Sequence, residues 1–141
     1  MEYGQSAAEL RKLAELRLDE AEALLDAKMW SGARYLAGYA LELGLKAKIA
    51  KRFRRSHLPD KSLVQSLYTH KLTSLVDSAE LKPDLSSRVK TDSSFAANWG
   101  IASKWSEQDR YRTWQRADAE SMVNAVRSQT DGIFPWIKTY W

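Results

Sequence analysis

Apolar positions recur at three- and four-residue spacing from Leu10 through Leu13, Leu16, Leu24 and Leu25, with arginine and glutamate between them. That pattern predicts a two-faced surface helix running to about Ala27. Ser6-Ala7-Ala8-Glu9 supplies its start as a capping box, in which hydroxyl and carboxylate satisfy free amides. Between about Ser31 and Phe53 the pattern changes, because apolar residues take most of the helix circumference until a basic end. A helix of that kind belongs in the middle of a bundle, with its few charged side chains turned to a shared cleft. Gly32, Gly38 and Gly44 lie within it and each weakens a helix by roughly 1 kcal/mol relative to alanine. Either another helix approaches closely there or the spacing is chance.

Pro59, in His57-Leu58-Pro59-Asp60, interrupts the helical pattern and predicts a loop. Leu72, Leu75, Val76 and Ala79 predict a third helix from about Thr69 to Leu81, ended by Lys82-Pro83. Asp84 is placed to cap a fourth, running with breaks from Leu85 to about Ala102. Ser106 to Arg112 reads as irregular, and Asp118 to Lys138 as a last helix bent at Gly132 or Pro135. The expectation is an all-α, antiparallel bundle of four to five helices in a single domain spanning 1–141.

Composition narrows the chemistry. The absence of cysteine excludes disulfides, thiolate metal sites and cysteine nucleophiles. Two histidines make a histidine-rich metal site improbable, so no metal and no cofactor are expected. The start of the chain lacks the basic and apolar regions of a secretory signal, and no stretch reaches the roughly 20 uncharged residues of a membrane span. A cytoplasmic protein with no membrane partner is expected. Net charge is +4, which permits an anionic partner. Lys46, Lys48, Lys51, Arg52, Arg54, Arg55 and Lys61 concentrate the excess in one stretch.

Tyr35, Tyr39, Glu42 and Lys46 stack along one face of the central helix. They form either an ordinary Glu-Lys pair beside two core tyrosines or a polar pocket facing a phosphate or base. His70 opens the third helix, as a structural hydrogen bonder or as a proton-transfer group. Arg110 and Tyr111, with Arg112, are a solvated loop end or a place where arginine forks onto phosphate and tyrosine stacks on a base. The six tryptophans suit core or dimer contacts.

Trp30-Ser31-x-x-Arg34-Tyr35-Leu36-x-x-Tyr39-Ala40-x-Glu42-x-x-x-Lys46-Ala47, then His70-Lys71-Leu72-x-x-Leu75, then Arg110-Tyr111 before a final helix rich in alanine and valine, resembles the HEPN family. The resemblance implies a dimerising antiparallel helical bundle. Its members include nucleotide- or RNA-binding proteins, partners of small nucleotidyltransferases in toxin-antitoxin pairs, and metal-independent ribonucleases. The ribonucleases carry an arginine and a histidine four to six residues apart on a late helix. No histidine follows Arg110 here, so that motif is absent. Arg52 and His57 match the bare spacing at the end of the central helix and are the alternative catalytic pair. The resemblance thus implies a non-catalytic or weakly catalytic homodimer binding nucleotide or RNA through Arg34, Tyr35, Tyr39, Glu42, Lys46, His70, Arg110 and Tyr111, with a nucleotidyltransferase as candidate partner. The other readings are a ribonuclease toxin and a protein interaction module docking through Phe134 to Trp141.

Overall fold

The structure is a computed structural model that describes residues 6–55 and 61–141. Helix α1 (Ala7–Asp26) begins at the expected capping box, the Ser6 amide donating to Glu9 Oε1 at 2.8 Å and the Glu9 amide to Ser6 Oγ at 3.1 Å. It ends where Lys28 turns left-handed, at φ 63°. There the Lys28 amide donates to the Leu25 carbonyl and the Met29 amide to the Leu24 carbonyl, the paired bonds of a Schellman stop. Ala14, Leu18, Ala21 and Leu25 face inward, and the small ones let α2 (Trp30–Arg55) lie close alongside.

Helix α2 is the inner rod that its circumference predicts. Every residue from Ala40 to Leu45 is buried, which only a helix enclosed on all sides achieves. Besides α1, it is surrounded by α4 (Leu72–Ser78), α7 (Arg116–Arg127), α8 (Ile133–Lys138) and a 3-10 helix, Glu107–Tyr111. Gly38 makes room for one of these neighbours. A β-carbon there would stand 2.2 Å from the Trp105 ring, and the indole that fills the space donates to the Tyr35 carbonyl at 3.1 Å.

The described residues form helices and no strands, but the α-helices number eight, more than the four or five expected. Short capping devices divide the long periodic runs. Helix α3 (Lys61–Ser66) occupies sequence read as loop. Helix α4 is shorter than the expected Thr69–Leu81, because Glu80 adopts φ 64° and a second Schellman pair closes on Asp77 and Val76. Pro83 begins α5 (Lys82–Thr91) instead of ending the helix before it, and Asp84 lies in the first turn, not at the cap. A proline there forfeits no bond, since first-turn amides lack helical partners. Asp92 separates α5 from α6 (Ser93–Ala102) by accepting from the Phe95 amide at 3.0 Å through its own side chain. The last helix is likewise two, α7 and α8, parted at Ser128 to Gly132. A β-carbon on Gly132 would meet the Ser128 carbonyl at 2.3 Å, so the turn requires glycine.

Candidate functional site

The polar stripe of α2 meets the chain again at two places. Glu42 is only 2% exposed, and its Oε2 accepts from Lys46 Nζ at 3.0 Å and faces His70 Nδ1 at 2.8 Å. On the other side of the imidazole, Nε2 lies 3.2 Å from Glu107 Oε2. Lys46, Glu42, His70 and Glu107 therefore form one continuous chain of polar contacts from the core to the surface. The other carboxylate oxygen, Glu42 Oε1, is buried without a partner in the protein. A buried acceptor in that condition is energetically unfavourable.

Beside this chain runs an aromatic wall. The rings of Tyr35 and Tyr39 stack with centroids 6.0 Å apart and planes 11° from parallel, and Trp105 tilts against Tyr35 at 5.7 Å. Burial, then the nearby Glu42 carboxylate, pushes the Tyr39 hydroxyl above its ordinary value. Arg110, from the 3-10 helix, lies over the Tyr111 ring at 4.9 Å. Its guanidinium is held above its ordinary value first by Tyr111 and then by Tyr35. Tyr111 itself is 72% exposed and available for stacking. A cleft of about 380 Å³ opens next to this assembly, lined by Thr69, His70, Lys71, Thr73, Trp105 and Glu107 among others.

Seven of the eight expected binding residues fall into three neighbouring groups: Tyr35 stacked on Tyr39, Lys46 and His70 on Glu42, and Arg110 over Tyr111. Arg34 belongs to a different assembly. It is buried, with Nε 3.3 Å from Asp109 Oδ2, Nη1 donating to the Asp118 carbonyl at 3.3 Å, and its guanidinium stacked 4.0 Å from the Trp114 ring centre. These contacts tie α2 to the 3-10 helix and α7, so its role in the fold is structural.

Part of the basic stretch is similarly engaged. Arg52 donates to the Ser78 carbonyl at 2.9 Å and Lys48 to the Ala79 carbonyl at 3.3 Å. Both cations thereby sit at the negative end of α4, where they are favourable. Of the alternative catalytic pair, Arg52 makes these contacts and His57 lies outside the described residues. The C-terminal aromatic segment packs into its own chain: Phe134, Trp136 and Ile137 are buried, and the Trp141 indole donates to the Gly44 carbonyl at 3.1 Å.

Glu107 escapes sequence reasoning, being one acid in a polar stretch with no periodicity to assign it a direction. Trp105 left a trace in Gly38, since a glycine inside an apolar helix asks what fills the missing side chain's space. Among the described residues no group of histidine, aspartate and glutamate is arranged to hold a metal ion, and no helix is long and apolar enough to cross a membrane. In comparisons with known proteins, no family model, no curated protein and no solved structure matches the chain.

Proposed function

We propose that this chain is a HEPN-type helical protein, non-catalytic or at most weakly catalytic and acting as a homodimer, that binds a nucleotide or RNA at the groove between α2, the His70 segment and the 3-10 helix. The observation that carries the reading is the chain Lys46, Glu42, His70 and Glu107 set against the Tyr35 and Tyr39 rings, with Arg110 and Tyr111 beside it. The cations suit phosphate, and the exposed tyrosine offers a face on which a base can stack. A nucleotidyltransferase working with this protein would supply the chemistry or control the binding.

The test is binding by purified protein. Melting temperature should rise with at least one member of a nucleotide panel, or labelled RNA should be retained at low salt and released as salt increases, as phosphate contacts require. Arg110→Ala alters an exposed side chain and should weaken that binding about tenfold without changing the melting temperature of the free protein. Indifference to every nucleotide and to RNA would dispose of the reading.

A further inference from the structure

The two sides of His70 are not equivalent. Its Nδ1 faces Glu42, a carboxylate fixed in the core at 2.8 Å, so the ring is held in one orientation with Nε2 directed away from α2. At Nε2 the partner is Glu107, which is 33% exposed, sits at the first position of a five-residue 3-10 helix, and makes no other ion pair among the described residues. One carboxylate is part of the packing, and the other is a surface side chain that happens to reach the same imidazole. Lys71 lines the same cleft and has no carboxylate within ion-pair distance among the described residues. The hydroxyl-bearing Thr69 and Thr73 lie there too.

From this asymmetry we propose that Glu107 is an internal anion seated in the phosphate position of the cleft, and that the phosphate of a bound nucleotide displaces it from His70 Nε2. The inference rests on the nucleotide-binding reading and adds where the phosphate goes and what holds the position when no ligand is bound. A carboxylate and a phosphate are both charged acceptors with similar hydrogen-bond lengths, so the donor that faces one accepts the other. Whenever the ring carries its second proton it donates at both nitrogens, to Glu42 on one side and to the incoming anion on the other. Phosphate has the advantage of additional oxygens directed at the cleft, where Lys71 stands and the single Glu107 carboxylate makes no pair with it. Glu107 thereby weakens ligand binding by competing for the site, and excludes anions too weak to replace it.

The proposal predicts a gain of binding from removing a site residue's charge. Titrate AMP, inorganic phosphate and adenosine, at low salt, into wild type, Glu107→Gln, His70→Gln and the double variant. Glu107→Gln should tighten AMP and phosphate about fivefold, the worth of one exposed ion pair, and leave adenosine unchanged. His70→Gln should abolish that gain in the double variant. In a proton-nitrogen spectrum, the Nε2 resonance of His70, one of two histidines in the chain, should move on adding AMP to wild type. If wild type binds AMP and Glu107→Gln binds it equally or more weakly, the displacement idea fails while the nucleotide-binding reading stands. If none of the four proteins binds AMP or phosphate, the displacement idea fails, and the binding reading is decided by the wider nucleotide panel and by RNA retention.

Discussion

At the scale of single residues, two positions carry constraints that can be read as free energies. Lys28 holds a left-handed conformation at φ 63° as the C′ residue of α1, where an L side chain is strained by roughly 1–2 kcal/mol and glycine is not. Lys28→Gly should therefore stabilise the protein by about 1 kcal/mol once the extra chain entropy of glycine is deducted, measured by urea denaturation. Gly38 is the opposite case. Its absent β-carbon is the space taken by the Trp105 ring, which is 4% exposed and anchored to the Tyr35 carbonyl. Gly38→Ala should destabilise by about 1–3 kcal/mol despite alanine's better helix propensity, and should change Trp105 fluorescence, because a rigid ring in a packed site cannot yield cheaply. An unchanged denaturation midpoint would show that the indole moves freely.

Elements are delimited here by side chains that act over three or four residues. The capping box at Ser6 and Glu9 was legible because both partners lie inside one turn. The same locality explains why breaks were expected between Leu85 and Ala102 without a position: the apolar positions continue in period, yet Asp92 ends one helix and starts the next. Its carboxyl is held below the usual range first by the Phe95 amide and then by Arg88. A depressed folded-state value means that the stabilisation is present above the unfolded value, about 3.9, and is lost as pH falls through the folded one. Wild-type melting temperature should therefore drop more steeply below about pH 4 than that of Asp92→Asn, which keeps an accepting oxygen without the charge. At neutral pH, Asp92→Ala should melt lower than Asp92→Asn, since it removes the cap altogether. Equal melting of the two would mean that the break is imposed by packing on α6 and not by the cap.

On the scale of the whole molecule, the core and the site share the same rod. Helix α2 places apolar residues and alanines against α1, α4, α7 and α8, while Arg34, Glu42 and Lys46 draw the His70 segment and the 3-10 helix onto its remaining face. Arg34 is the test of that division between structure and site. Its replacement by alanine leaves the Asp109 carboxylate, 2% exposed, without its cation, and should destabilise by about 3 kcal/mol. Replacing Asp109 by alanine as well should recover part of that loss, which a double-mutant cycle by denaturation will quantify. Nucleotide binding by the folded fraction of Arg34→Ala should be unchanged; a large loss of affinity would return Arg34 to the binding groove.

Sequence alone determined that the chain is helical, that Ser31 to Phe53 forms an enclosed rod, and that Tyr35, Tyr39, Glu42 and Lys46 share a face. Helical period and capping act within a few residues, and burial around a full circumference leaves its signature in consecutive positions. Only the tertiary structure decided which partner each charged group of that face receives: His70 comes from 28 positions away and Asp109 from 75, with Trp105 closing on Tyr35 across 70. Pairings at such separations depend on how helices pack in space, and packing is fixed by the summed burial of many apolar contacts, so a single glutamate at position 107 carries no local mark of the histidine it meets.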